Sequence, residues 1–534
     1  MLKIGIDLDN TIIDYNPIFK KYLNKKEVFK SASYKETLKK KLIINKNSEL
    51  KWMQIQGKAY GKLINDAKIF EGFISFLSLA RYYKVKIYIV SHKTIIGHYD
   101  KSKVNLRNVA LGFLKKNLKY KGHNYFNHIE SIKFLDNFRD KIKFINSNKF
   151  DYFIDDLPKV IKTINLNKKI LFSPYQNLCL KNCYNLSHWD QITKLIFSNI
   201  NSNYYKKIIN LNTKFNIIKI KKIKSNRNSI VFQLINFDKE KYFLKIYPHR
   251  KKIMNTSIDR ETICLNTLKK MKITNVPTLY ICNKEFNFII TSWLYGKKIN
   301  NLDNFYLNSL YNFIFNIYKN TKKLKKNDFS SIPLAKDSVL EFEDLVRDIE
   351  KRLDRFRFNK DILPYEIKKI ILEVEILFKH LVSKNNNYIK KNKIKFKVEM
   401  NKQFLSPSDM GQHNSIFKNK VYSFYDFEYF GRDDPVKLLC DIILNPNTFK
   451  EKMLLNKFFI KFVNLFGDKK FIIRYKVTFR LHLLKWILIV LKKFSESDHR
   501  QSFNKNNIQF IKSRNYLNEF NNFNSTLNLF SDIN

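Results

Sequence analysis

Three short apolar runs in the first part of the chain each end at acidic or hydroxyl side chains. The runs cover residues 2–8, 85–90 and 152–154, and helical segments separate them. The polar residues at their ends are Asp7, Asp9, Ser91, Asp155 and Asp156. Strands that alternate with helices are typical of a parallel sheet, whose ligands lie beyond the carboxyl ends of the strands. The sequence therefore predicts an α/β fold for about the first 195 residues and one site where these side chains converge.

A polar, Asn-rich segment at residues 198–212 separates this pattern from a different one. Residues 215–247 predict strands joined by polar turns, residues 258–271 a helix, and residues 277–294 two further strands. From about residue 300 the pattern is mainly helical, including a long charged amphipathic stretch at residues 337–384. A small sheet followed by many helices is typical of a two-lobed kinase.

The net charge of +53 would ordinarily indicate a polyanionic partner. Lysine runs through every region together with Asn and Ile, as codon bias in an AT-rich genome would produce, and no single basic stripe stands out. We therefore favour small phosphate-bearing substrates over a nucleic-acid partner.

The cysteines and the longest apolar stretch bear on the cellular compartment. The five cysteines lack the paired spacing of a zinc site, which predicts reduced thiols in a cytoplasmic protein. Residues 483–491 form the longest apolar stretch, which is too short to span a bilayer and predicts a buried helix.

The first motif places two carboxylates two residues apart directly after an apolar run. Phosphoryl transfer through a covalent intermediate needs one carboxylate to attack phosphorus and a second one to carry the proton. With Thr11, the sequence DLDNT resembles the DxDxT motif of haloacid-dehalogenase-like (HAD) phosphohydrolases. The resemblance implies that Asp7 is the nucleophile and that Asp9 is the general acid and base. It also implies a Rossmann-like fold with a small helical cap, here about residues 15–75.

The same resemblance assigns the phosphate and metal ligands. Thr11, Ser91 and a lysine upstream of the acidic pair would bind the phosphate. Lys141 and Lys149 both qualify, and we favour Lys141 because it lies one short helix before the strand. Carboxylates of this kind suit Mg²⁺. The implied metal ligands are Asp7, Asp9, Asp155 and Asp156.

A second pair of segments lies in the C-terminal part of the chain. The sequence contains no GxxxxGK[ST] motif, which excludes a Walker-type phosphate loop. The segments FLSPSDMGQHNSIF and VYSFYDFEYFGRDDP resemble the catalytic loop and metal-binding segment of aminoglycoside phosphotransferases and choline-kinase-like enzymes. Asp409 and Asn414 have the spacing of the kinase base and its metal-binding Asn. The resemblance implies that Asp409 is the base and that Asn414 and Asp426 hold Mg²⁺ against the phosphates of ATP.

Two upstream residues extend this resemblance. Lys245 lies on a strand after a hairpin and Glu261 on the next helix, which resembles the lysine that binds the ATP phosphates and the glutamate that orients it. The chain departs from the family in two places. Pro407 and Ser408 stand where the family has His-Gly, and the phosphate loop, near residues 224–229, contains no glycine.

Together these segments predict a HAD-like domain at residues 1–198 and a kinase-like α+β domain at residues 205–534, with lobes at 205–296 and 297–534. The predicted function is an ATP- and Mg²⁺-dependent kinase of a small hydroxylated metabolite, fused to a Mg²⁺-dependent phosphatase of a phosphomonoester. The metabolite could be a sugar, an amino alcohol or a polysaccharide precursor. Two alternatives stay open: a kinase and phosphatase that process nucleic-acid ends, and a chain in which one domain is inactive and regulatory.

Overall fold

The chain folds into two compact units. The computed structural model describes residues 1–24, 27–28, 33–43, 46–97, 103–175, 178–197, 201–223, 229–248, 256–298, 302–359, 361, 363–446, 452–467, 469–495 and 507–521. The first unit comprises Met1–Met254 with Ile281–Ile290, and the second comprises Asn255–Tyr280 with Thr291–Asn534.

A six-stranded parallel sheet forms the centre of the first unit. Its strands are β1 (Lys3–Ile6), β2 (Lys86–His92), β3 (Ile129–Leu135), β4 (Tyr152–Asp155), β5 (Lys169–Phe172) and β6 (Tyr184–Leu186). Their order is β6-β5-β4-β1-β2-β3, and each neighbouring pair is parallel. Because β1 lies between β2 and β4, the polar residues that end these three strands share one edge of the sheet. The predicted parallel sheet is confirmed, and its assignment to the HAD class stays a prediction.

Packing explains why β1 carries a glycine. A Cβ atom on Gly5 would lie 2.4 Å from the ring of Phe153, which is fully buried on the neighbouring strand β4. Interiors are packed too tightly to accept such an overlap. Gly5 therefore lets the strand that carries the first motif lie against the aromatic ring.

Helices surround this sheet. They are α1 (Asn16–Lys20), α2 (Tyr34–Leu42), α3 (Lys46–Tyr60), α4 (Phe73–Tyr82), α5 (Leu106–Asn117), α6 (Phe138–Ser147), α7 (Pro158–Thr163), α8 (Trp189–Ile196) and α9 (Ser202–Asn212). Asparagine side chains cap the first turns of α5 and α6, where Asn105 and Asn137 accept bonds from backbone N–H groups. Helices α1 to α3 lie in the segment predicted as a cap, and the role of that segment stays a prediction.

A five-stranded sheet follows in the chain. Its strands are β7 (Ile217–Ile223), β8 (Ile230–Asn236), β9 (Lys241–Ile246), β10 (Leu279–Asn283) and β11 (Phe288–Ser292), in the order β7-β8-β9-β11-β10. The first three form antiparallel pairs, and they lie where the sequence predicted strands joined by polar turns. Buried Phe232 and Leu244 of this sheet belong to the same hydrophobic cluster as Ile4 and Ile87 of the parallel sheet. One hydrophobic cluster therefore includes residues of both sheets of the first unit.

The second unit is mainly helical. Its helices are α10 (Ser257–Lys270), α11 (Asn304–Thr321), α12 (Lys326–Ser331), α13 (Phe342–Phe358), α14 (Tyr365–Lys391), α15 (Pro435–Ile443), α16 (Lys452–Phe466), α17 (Lys469–Leu491) and α18 (Ile508–Asn521). Its strands are β12 (Phe404–Ser406), β13 (Ser415–Lys418), β14 (Val421–Phe424) and β15 (Gly431–Asp433).

Two predictions on helices can be compared with this unit. The helical pattern at residues 337–384 corresponds to two helices, α13 and the first part of α14, and Pro364 directly precedes α14. The apolar stretch at residues 483–491 is the buried end of α17, as predicted. Among the described residues, none of the helices has the length and apolar character needed to cross a membrane.

A buried ion pair fixes the start of α15. Asp434 caps this helix by accepting a bond from the backbone N–H of Val436. Its two carboxylate oxygens accept bonds from the Arg474 guanidinium at 2.7 and 3.0 Å, and both side chains are less than 10% exposed. Arg474→Met would leave a buried carboxylate without this cation, and we expect it to lower the free energy of unfolding by about 3–5 kcal/mol in urea titrations.

The matched control for this prediction is an exposed ion pair on α13. Arg347, whose side chain is 61% exposed, pairs with Asp344. Arg347→Met should cost at most about 1 kcal/mol, since exposed pairs contribute little. Equal losses in the two variants would contradict a special role for the buried pair.

Candidate active sites

The first candidate site lies at the carboxyl edge of the parallel sheet. Asp7 directly follows β1, Ser91 lies near the end of β2, and Asp155 ends β4 with Asp156 after it. All of them are buried except Asp156, which is partly buried. One carboxylate oxygen from each of Asp7, Asp155 and Asp156 lies within 4.8 Å of the other two. The structure thus brings together three of the four predicted metal ligands.

Lys141 is the lysine that reaches this cluster. Its Nζ donates to Asp7 Oδ1 at 2.6 Å and to Asp155 Oδ2 at 2.7 Å, and its side chain is 2% exposed. Burial alone lowers the pKa of Lys141, but the charges of Asp155 and Asp7 outweigh burial and hold that pKa above its usual value. The alternative, Lys149, is exposed in a left-handed turn. Lys141 therefore stays an ammonium group that bridges two carboxylates.

The carboxylates themselves repel one another. Burial raises the pKa of Asp7 well above its usual value, against the pull of Lys141 and with a further rise from the neighbouring acids. Burial and the charge of Asp155 raise the pKa of Asp156 to about 7. A divalent cation removes this repulsion, and oxygens that share one Mg²⁺ lie about 2 Å from it. The three oxygens fit one such ion after small side-chain adjustments.

Asp9 is held apart from this group. Its Oδ1 and Oδ2 each accept a bond from Lys93 Nζ at 2.8 Å, and Oδ1 also accepts one from the Tyr15 hydroxyl at 2.8 Å. Thr11 is fully buried, and its hydroxyl has no hydrogen-bond partner among the described residues. Its carbonyl oxygen accepts a bond from Trp189 Nε1 at 3.0 Å. The roles of Asp9, Thr11 and Ser91 stay predictions.

Sequence reasoning missed several residues around this site. Lys93 lies two residues after Ser91 in YIVSHK, which is the only signal that could have identified it among so many lysines. Lys35, from α2, forms a hydrogen bond with Tyr60 and interacts with Asp156. Burial lowers the pKa of Lys35, but the interactions with Tyr60 and Asp156 outweigh burial and raise that pKa above its usual value. Residues of the predicted cap therefore contact the site.

The second candidate site is built around the hairpin of β13 and β14. Ser415 pairs with Phe424, so the residues just outside the hairpin face each other. The backbone N–H of Tyr425 donates to the carbonyl of Asn414 at 3.0 Å, which places Asp426 one residue from this bond. The Asn414 side chain donates Nδ2 to the carbonyl of Asp409 at 3.0 Å. The hairpin thus gathers the three residues that the kinase resemblance implies.

The donor set of this site also suits a hard cation. Because Asn414 Nδ2 is bound to the backbone of Asp409, its Oδ1 is the atom that remains to face a metal. Asp426 adds a carboxylate, and oxygen ligands of these two kinds are those that Mg²⁺ takes beside ATP phosphates. Asn414 and Asp426 are therefore the residues that would hold the ion here.

Two residues flanking this site have strained backbones. Ser408 has φ +64° and Asp426 has φ +69°, in the left-handed region that costs a residue other than glycine about 1–2 kcal/mol. Ser408 stands where the kinase resemblance implies a glycine. Here its N–H donates to Ser406 Oγ at 3.1 Å and its hydroxyl donates to the Tyr429 carbonyl at 3.2 Å. These bonds support the strained turn before Asp409.

His413 is a neighbour of Asp409 that sequence reasoning did not single out. Its Nε2 lies 3.4 Å from Asp409 Oδ2, and this contact raises the pKa of His413 although burial opposes it. A Cβ atom on Gly411 would lie 2.5 Å from the His413 ring, so glycine leaves room for the ring. The available signal was its position four residues after Asp409 in the quoted segment.

The remaining predicted residues lie in separate units. Lys245 is buried on β9 in the first unit, with its Nζ 4.9 Å from the centre of the Tyr247 ring. Glu261 is buried on α10 in the second unit. Their pairing stays a prediction. Of the predicted phosphate loop at residues 224–229, residues 224–228 lie outside the described residues.

No protein-family model and no curated protein matches the chain. Among solved structures, it is similar to a spectinomycin phosphotransferase in complex with ADP and spectinomycin, with 15% identity, a TM-score of 0.41, and 60% of this chain and 94% of that one covered. It is also similar to an ethanolamine kinase from Plasmodium vivax (15% identity, TM-score 0.41, coverage 64% and 95%). A choline kinase from Cryptosporidium parvum is 13% identical, with a TM-score of 0.40, and the match covers 64% of this chain and 99% of that one.

Proposed function

We propose that the second candidate site transfers the γ-phosphate of ATP to a hydroxyl group of a small metabolite. The observation that carries this proposal is the β13–β14 hairpin, which sets Asn414 against the backbone of Asp409 and next to Asp426. A kinase needs a base at the acceptor hydroxyl and oxygen ligands for Mg²⁺ within one small site. Asp409 supplies the base, and Asn414 and Asp426 supply the ligands.

The proposed transfer proceeds in one step. The acceptor hydroxyl gives its proton to Asp409 as its oxygen forms a bond to the γ-phosphorus. The bond from that phosphorus to the bridging oxygen of ATP breaks, and ADP leaves with the electron pair. When bound, Mg²⁺ neutralises charge on the phosphates. Lys245 would bind the α- and β-phosphates, and Glu261 would orient Lys245.

ATP consumption by the purified chain tests this proposal. The acceptors are a panel of sugars, amino alcohols and oligonucleotides with a 5′-hydroxyl group, each with and without Mg²⁺. We expect turnover with one class of small metabolite. Turnover with oligonucleotides alone, with binding that falls steeply as salt rises, would replace this proposal by processing of nucleic-acid ends.

We also infer that the first candidate site hydrolyses a phosphomonoester. The supporting observation is the buried bridge from Lys141 to Asp7 and Asp155, with Asp156 in the same cluster. An oxygen of Asp7 would bond to phosphorus as the ester bond breaks, and the leaving oxygen would take a proton from Asp9. Water would then attack the aspartyl phosphate, give a proton to Asp9, and release phosphate.

Phosphate release from a broad panel of phosphomonoesters tests this second activity. We expect release to require Mg²⁺, whose charge offsets that of the carboxylates and the phosphate, and to stop when EDTA removes the metal. Hydrolysis that continues in EDTA would contradict a metal-dependent site. A kinase and a phosphatase on the same position of one substrate would only consume ATP, so we propose two positions or two successive intermediates.

The choice between the two candidate lysines gives a matched test of the hydrolase. Lys141→Met should lower kcat by about 10²-fold or more, because it removes a preorganised cation from the cluster. Lys149→Met changes an exposed lysine of the same segment and should leave hydrolysis unchanged. The reverse ranking of the two variants would contradict the assignment of Lys141.

A further inference from the structure

Lys93 is a buried cation that the proposed reaction leaves without a role. Its side chain is 2% exposed, and its Nζ lies 2.8 Å from both carboxylate oxygens of Asp9. Burying an ammonium group is costly unless it is paired. Because Asp9 is the proposed proton carrier, the pairing places Lys93 at the reaction rather than in the core.

Tyr15 holds the same carboxylate from a second direction. Its hydroxyl donates to Asp9 Oδ1 at 2.8 Å. A carboxylate offers about four acceptor positions, two on each oxygen. The bonds from Tyr15 and Lys93 occupy both positions on Oδ1 and one on Oδ2. The position that remains belongs to Oδ2.

The backbone of Lys93 is fixed as well as its side chain. Its N–H donates to the carbonyl of Leu135 at 3.2 Å, and its own carbonyl accepts a bond from Arg107 Nε at 2.8 Å. Its Nζ also lies 4.9 Å from the centre of the Tyr60 ring. A lysine held at both ends suits a positioning role better than a mobile ligand for substrate.

The aromatic rings of Tyr15 and Tyr60 also support the Lys93 side chain. The Tyr15 and Tyr60 rings pack edge to face with centres 4.5 Å apart. Tyr60 comes from α3 in the predicted cap, whereas Tyr15 directly precedes α1. Cation–π contact with such rings stabilises an ammonium group. The contacts therefore fix Lys93 and Tyr15 relative to each other.

We propose that Lys93 and Tyr15, together termed the Asp9 clamp, are positioning residues that orient the Asp9 carboxylate so that Oδ2 faces the leaving group. This assignment rests on the hydrolase function proposed above. Rotation of the carboxylate is blocked by bonds to both of its oxygens, which preorganises the proton transfer. The clamp acts only through Asp9, so it matters most where the leaving group needs a proton.

A comparison of two aryl phosphates tests the clamp. Phenolate needs protonation as it leaves, whereas 4-nitrophenolate is stable without it. We expect Lys93→Met to lower kcat/KM, which reports formation of the aspartyl phosphate, about 10²-fold on phenyl phosphate and less than about threefold on 4-nitrophenyl phosphate, as loss of general acid catalysis predicts. Tyr15→Phe should give the same pattern with a smaller loss, and Lys143→Met, at an exposed lysine of α6, should change neither ester.

A double variant that combines Asp9→Asn with Lys93→Met distinguishes a positioning role of Lys93 from a purely structural one. In an Asp9→Asn background, Lys93→Met should cause no further loss, because the clamp acts through Asp9. Equal losses in kcat/KM on both esters, or additive losses with Asp9→Asn, would overturn the clamp. If Lys93→Met does not fold, as judged by thermal melting, Tyr15→Phe decides the question by the same criteria. Absence of hydrolysis that depends on Asp7 in the wild type would overturn the hydrolase proposal itself, and the clamp with it.

Discussion

Asp409→Asn is expected to lower kcat for transfer of phosphate from ATP by about 10²–10⁴-fold, the usual contribution of a general base. The amide cannot accept the proton of the acceptor hydroxyl. It retains the shape of the carboxylate and can still accept a hydrogen bond from His413, whose Nε2 lies 3.4 Å from Asp409 Oδ2. Because Asn414 binds the backbone of Asp409 and not its side chain, the loop should keep its geometry.

The measurement is ADP formation with the acceptor found in the metabolite panel, at saturating ATP. The KM for ATP should change little, since the phosphates are assigned to other residues. Asp354→Asn serves as the control, because that side chain is 65% exposed on α13 in the same unit. Full turnover by Asp409→Asn would exclude a role as base, and a similar loss in the control would indicate general damage.

The strands that sequence analysis identified are those buried on both faces. Strands β1, β2 and β4 read as short apolar runs because they lie inside the sheet. Strand β3 lies at the edge, and its sequence IESIKFL contains only partly buried and exposed residues. Strand β6 has only three residues and is also at an edge. Edge strands bury less surface, so their hydrophobic pattern is too weak to identify them.

The extent of the first compact unit depends on tertiary packing that composition does not reveal. The Asn-rich segment where we placed the domain boundary contains α9, whose Tyr204, Ile208 and Ile209 are buried in the core of the first unit. Three apolar residues at helical spacing in a polar segment give little signal. The boundary at residues 198–205 therefore stays a prediction.

The residues of the first candidate site likewise divide into those that the sequence identified and those that it missed. Motif spacing identified Asp7, Asp155 and Asp156, because strand ends bring them to one edge of the sheet. The position of Lys141 relative to β4 was enough to favour it over Lys149. Lys93 could not be identified, because it meets Asp9 only through the pairing of β1 with β2. Local sequence predicts which side chains end a strand, whereas the partners of those side chains depend on the fold.

Asp7→Asn is expected to abolish hydrolysis at the first site, with a loss of about 10³-fold or more in kcat, as removal of a covalent nucleophile causes elsewhere. The amide is a poor nucleophile toward phosphorus and cannot form the aspartyl phosphate. It also removes one of the three carboxylates that would hold Mg²⁺. Mg²⁺ affinity, measured by calorimetry without substrate, should therefore fall together with turnover.

The decisive comparison for Asp7 uses covalent trapping as well as phosphate release. Wild-type protein, quenched in acid during turnover of a radiolabelled phosphomonoester, should retain label that alkaline hydroxylamine removes, and Asp7→Asn should retain none. Asp66→Asn is the control, since that carboxylate is 42% exposed and pairs only with Lys21 among the ion pairs of the described residues. Transfer by the second site should be unaffected in both variants, because its assigned base and metal ligands lie in the other compact unit. Label on Asp7→Asn at the wild-type level would assign the nucleophile to another residue.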